Sequence, residues 1–205
     1  MARSKSRLSV LLFAIALGIA PSARAQQSSS SLLAHISEQT IVNTIPGSIM
    51  STCLLIHNNG QTEIEVRRQP PTAKQTEVTF FRLTLPASYV SRLRNELSSD
   101  DVRQLPTFAP LNFYISEPLF HIFELRFSDV GKTKRAGFSE WAIGNAQLTE
   151  HDKQLREQHK HDWARSRTTL APVVSWLHEV ETLPMEHSPE DSASVCDTSS
   201  LAGLR

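Results

Sequence analysis

Between Leu119 and Ser128 the side chains alternate in character with a period of two. Leu119, His121, Phe123, Leu125 and Phe127 form one row, and Glu124, Arg126 and Ser128 lie in the other. A helix would scatter these residues around its circumference, so the run predicts a strand buried on one face only. Asp129-Val130-Gly131-Lys132 then reads as a tight turn into a return strand over 133–143. A second hairpin precedes it. Cys53 to Ile56 is a short apolar run, Asn58-Asn59-Gly60 is a turn signal because Asn and Gly tolerate positive φ, and Ile64 and Val66 alternate with Glu63, Glu65 and Arg67. Gln69 to Gln75, with Pro70-Pro71, reads as a loop. Val78 to Leu85 is apolar on both faces, which predicts a central strand.

Helical spacing takes over after Pro86. Tyr89, Val90, Leu93 and Leu97 make one stripe, and Ser99-Asp100-Asp101 caps a further turn reaching Leu105. Residues 107–118 are punctuated by proline and read as irregular. Thr149-Glu150-His151-Asp152 fits a capping box that opens a polar, exposed helix carrying Leu155 and Trp163. Pro172 starts or restarts a last helix, in which Leu170, Val173, Val174, Leu177 and Val180 form the packing stripe and Trp176 sits at its edge. Antiparallel hairpins followed by helices that need burial predict an α+β fold, a two-layer, mostly antiparallel sheet with helices packed on one face.

The first residues have a different purpose. Arg3, Lys5 and Arg7 precede thirteen apolar residues from Leu8 to Ala20, and Ala23-Arg24-Ala25 is a small-x-small pattern. This reads as a signal peptide over 1–25, with the mature chain starting at Gln26. The apolar run spans about 20 Å, short of the roughly 30 Å hydrocarbon core, so no membrane insertion is expected after cleavage. Residues 26–51 read as a flexible leader with a short helix around Leu32, Leu33 and Ile36. Residues 52–183 form the α+β domain, and 184–205 a disordered tail rich in Ser, Glu and Asp. Removing the leader takes four basic residues from 21 and leaves 17 against 21 acidic ones, a formal charge of −4. That balance argues against nucleic acid as a partner. With no phosphate-cradling glycine loop, no cofactor is indicated. The expected location is periplasmic or secreted, where the two cysteines, Cys53 and Cys196, most simply form one disulfide; a reactive thiol is the alternative.

Residues with chemical potential are few. His151, His159, His161 and Asp162 share one helix. His151 and His159 lie about 80° apart around it, and His159 and His161 about 160°, so they do not converge on one ion. A solvated face is the plainer reading. His121 interrupts an apolar row, as a catalytic imidazole in a pocket would, and as a hydrogen-bonded core histidine does more often. Gly137-Phe138-Ser139-Glu140-Trp141 begins like a nucleophile elbow, but Trp141 stands where the second glycine is required. Glu63, Glu65 and Glu124 face away from the apolar side, and only their number suggests acid–base work. No catalytic residue, metal ligand or cofactor site is assigned.

The run Cys53 to Gly60 with Glu63 to Arg67, the helix bearing Leu93 and Leu97, the strand around Phe123-Glu124-Leu125, and Leu170-Ala-Pro-Val-Val-Ser-Trp-Leu177 together resemble a group of small exported bacterial proteins of unknown function, common in acidobacteria. The resemblance covers roughly 52–196. It implies that Cys53 and a tail cysteine belong to one framework, and it supplies no activity. The reading that follows is a non-catalytic binding module of the periplasm or cell exterior. It would use a sheet face or residues 107–118 to hold an envelope or extracellular protein. The alternatives are a hydrolase whose site includes His121, and a metal-binding envelope protein using His151, His159 and His161.

Overall fold

A computed structural model describes residues 31–42, 48–70, 73, 75–109, 119–141, 150–189 and 193–197. Its strands are β1 (Leu32–Val42), β2 (Ser48–His57), β3 (Gln61–Gln69), β4 (Glu77–Thr84), β5 (Leu119–Asp129), β6 (Lys132–Trp141) and β7 (Glu186–His187); its helices are α1 (Ala87–Ser98), α2 (Asp100–Arg103) and α3 (Glu150–Glu181). The strands form one antiparallel sheet in the order β6-β5-β1-β2-β3-β4-β7. The fold is α+β, with the helices on one face of the sheet.

The apolar rows named above make the helix-covered face. Ala34 and Ile36 of β1 sit opposite Ile56 and Leu54 of β2, and opposite Phe127 and Leu125 of β5. These residues and Ile64, Phe123, Ala136 and Phe138 are buried against Val90, Leu93 and Leu97 of α1 and Leu170, Val173, Leu177 and Val180 of α3. Each of the Val, Leu, Ile and Phe side chains among them contributes about 1.5–3 kcal/mol relative to remaining in water.

Several expectations need correction. Leu32, Leu33 and Ile36 do not start a helix. They open β1, whose two edges are filled by β2 and β5, and the sheet therefore reaches back to Leu32 rather than beginning at residue 52. The apolar Ala34 and Ile36 alternate with His35 and Ser37, so the pleat sorts these residues better than a helix would. β1 also takes the central place expected for β4. The latter lies near the sheet edge, paired beyond β3 only with the two-residue β7, and its Val78 is exposed.

On the helix side, α3 is one helix of 32 residues that runs through Pro172 rather than two. Trp176 is not at its edge but 1% exposed, with its Nε1–H donating to the Tyr89 carbonyl of α1 at 3.1 Å, and Trp163 is also buried. Finally, the segment after 183 is not a free tail where it is described. β7 pairs with Phe81 and Arg82, and residues 193–197 lie on the sheet face opposite the helices, with Val195 buried.

A disulfide joins Cys53 to Cys196. Two turns use the left-handed region. Gly60 (φ 88°) closes the β2–β3 connection where a Cβ would stand 2.7 Å from the Leu85 carbonyl oxygen. Val130 (φ 47°) and Gly131 (φ 75°) form the two-residue β5–β6 turn.

Candidate functional site

The strand pattern places charged side chains at one end of the helix-covered face. Glu38 lies opposite Phe123 across the β1–β5 pair, which makes His121 its diagonal neighbour, and His121 is paired with Glu140 of β6. His121 Nε2 lies 2.7 Å from Glu38 Oε1, and its Nδ1 lies 3.7 Å from Glu140 Oε2. From above, α3 contributes Arg167, whose Nε is 2.6 Å from Glu140 Oε1, and His178, whose Nε2 is 3.3 Å from Glu38 Oε2. Glu181, one helical turn after His178, completes the group. Donor atoms of Glu38, His178 and Glu181 all lie within 4.8 Å of one another. Their spacing of three residues puts His178 and Glu181 on the same side of the helix.

The electrostatics follow from these contacts. The Glu38 hydrogen bond is the largest influence on His121; opposed by burial and helped by the charges of Glu38 and Glu140, it holds the imidazole above its ordinary pKa. Burial works to raise the Glu38 carboxyl, yet the hydrogen bond and charge of His121, and then those of His178, outweigh it and keep the group below the usual carboxylate value. Glu181 is raised, first by burial and then by the negative charge of Glu38, while His178 and a Thr52 hydrogen bond work the other way. Glu38 is thus satisfied on the His121 side and opposed on the Glu181 side.

Both His121 nitrogens face carboxylates: Nε2 is hydrogen-bonded to Glu38, and Nδ1 lies beside Glu140 at ion-pair distance. A general base working on a nucleophile needs one nitrogen turned toward that nucleophile. Ser139 does not supply it. Its strand position pairs with Ile122 on the opposite face of the sheet, where it is buried. The two helix histidines with described side chains, His159 and His161, are not gathered either. His159 stacks on Trp163 with ring centroids 5.1 Å apart, and His161 projects into solvent beside Asp162. His151 lies in the first turn of α3, and its side chain falls outside the described residues, as do residues 110–118 of the irregular segment.

The carboxylates of the other face are structural. Glu65, 1% exposed, accepts from Val195 N at 2.6 Å, Cys196 N at 2.9 Å and Ser194 Oγ at 2.8 Å through Oε2, and from Arg67 Nε at 2.5 Å through Oε1. Burial pushes its pKa up, but the Cys196 amide and the other donors reverse the effect and hold it low. Glu124 is shared between Arg126 and Arg135. His35, buried beside them, contacts the Val195 carbonyl through Nε2 at 2.9 Å. Glu65 and His35 seat the 193–197 strap over Cys53.

Glu38, His178 and Glu181 were not singled out in the sequence. The His178–Glu181 spacing was visible on a predicted helix, but Glu38 lay in a stretch whose strand character was not. No protein-family model, no curated protein and no solved structure matches the chain.

Proposed function

We propose that this protein is an exported, non-catalytic binding module, and that it takes a positively charged ligand in the carboxylate–histidine notch between β1 and α3. The observation that carries this reading is the position of Glu38. One of its oxygens is held by His121, and the other faces His178 and a second carboxylate, Glu181. The hydrogen bond of His121 to Glu38, with Glu140 beside its other nitrogen, favours binding over proton transfer. Export is supported by the leader pattern over 1–25 and by the Cys53–Cys196 bond, which persists in oxidising compartments. Among the described residues no helix is long and apolar enough to cross a membrane. The resemblance to exported bacterial proteins of unknown function agrees with that location and adds no activity.

The test is thermal unfolding of the mature, disulfide-bonded chain against divalent ions, polyamines and Lys/Arg-rich peptides. A ligand that binds only the folded state raises Tm. The expected result is a saturable rise that Glu38→Gln removes. Saturable turnover of a small molecule that His121→Ala abolishes without unfolding the chain would replace the binding reading with the hydrolase one.

A further inference from the structure

Resting on that reading, we propose that the notch is a site for a divalent transition metal of the zinc type, with Glu38 Oε2, His178 Nε2 and one Glu181 oxygen as ligands. The chemistry of the set selects the ion. An imidazole and two carboxylates suit a borderline ion such as Zn²⁺, whereas Ca²⁺ asks for six to eight oxygens and Mg²⁺ for near-octahedral oxygen ligation.

The geometry is near what such an ion needs. Ligand distances of about 2.0–2.2 Å in a tetrahedral site put neighbouring donors roughly 3.4 Å apart. His178 Nε2 and Glu38 Oε2 stand 3.3 Å apart already. The Glu181 carboxylate, within 4.8 Å, closes the remainder by side-chain rotation at the exposed end of α3. Two carboxylates that oppose each other gain a shared counter-charge, and the three protein ligands leave a position open to water.

His121 acts as a positioning residue. Its hydrogen bond to Oε1 turns Oε2 toward the ion and fixes the carboxylate plane, as outer partners of metal ligands commonly do. Glu140 holds the other side of the ring, and Arg167 holds Glu140. The chain of contacts thus extends from the notch across β5 and β6. Among the described side chains it involves neither His159 nor His161.

The experiment is calorimetric titration of the mature, oxidised chain with Zn²⁺ alone, with Co²⁺ absorption as a reporter of ligand geometry. One ion per chain is expected. Glu38→Gln should abolish binding, and His178→Ala and Glu181→Gln should each weaken it at least about tenfold. His121→Gln should weaken it by about 10–100-fold and alter the Co²⁺ spectrum. His161→Ala serves as the surface control and should change nothing. Should Glu38→Gln fail to fold, the exposed His178→Ala variant carries the same test. No stoichiometric zinc, or zinc binding that survives Glu181→Gln and His178→Ala, overturns the metal assignment. If a polyamine or basic peptide then binds in a Glu38-dependent way, the binding-module reading stands without the metal; if nothing binds in that way, both fall.

Discussion

Val130 holds a conformation that β-branched residues avoid. Its φ of 47° belongs to the left-handed region, where Cβ crowds the backbone at a cost of about 1–2 kcal/mol, and the side chain is 91% exposed and gains nothing in return. Val130→Asn keeps the two-residue turn and relieves the strain. Urea unfolding should show a gain of about 1 kcal/mol with an unchanged m-value.

Two histidines work against each other in pH. Burial is the main reason His35 sits below 6.5 in the folded state, so the unfolded chain binds more protons as the pH drops beneath that value. Its contribution is present above pH 6.5 and is lost as pH falls through the folded pKa. His121 is raised, chiefly by Glu38, so its contribution is full below pH 6.5 and disappears as pH climbs through the folded value. His121→Gln should therefore destabilise more at pH 5 than at pH 8, and His35→Gln more at pH 8 than at pH 5. Chemical unfolding at the two pH values checks both signs.

At the level of elements, Trp176 links α3 to α1. Trp176→Phe removes the hydrogen bond to Tyr89 O and part of a fully buried ring, and should cost about 2–3 kcal/mol in denaturant unfolding. Both hairpins, the α1 stripe and the final packing stripe were legible because their periods are unambiguous. β1 was not. Leu32, Leu33 and Ile36 satisfy helical spacing, while Ala34 and Ile36 satisfy a strand, and only the edges of β2 and β5 decide between them. That local ambiguity also hid Glu38. The α3 periodicity put Trp176 at a boundary because it did not include α1, which covers that side.

In the whole molecule the disulfide links Cys53, midway along β2, to the strap across 143 positions of sequence. Constraining so long a loop in the unfolded chain stabilises the fold by at most about 5 kcal/mol in the chain-entropy model. Cys53→Ala/Cys196→Ala should accordingly lower the urea midpoint strongly while the helix and strand signals persist below it. The cysteine count made the bond legible, since only one pairing exists within the chain. The seating of the strap was not, because it rests on Glu65 and His35, polar side chains that periodicity assigns to solvent.

The central place of β1 governs the order of assembly. A ribosome delivers Leu32–Val42 ahead of every other strand, yet one edge of β1 finds its partner only when β5 emerges, after β2, β3, β4 and two helices. The first strand made must therefore wait with an open edge, and Cys196 arrives last to seal the opposite face. Distant pairings of this kind slow folding. The sheet therefore cannot close around its oldest strand until residues 119–129 have been made.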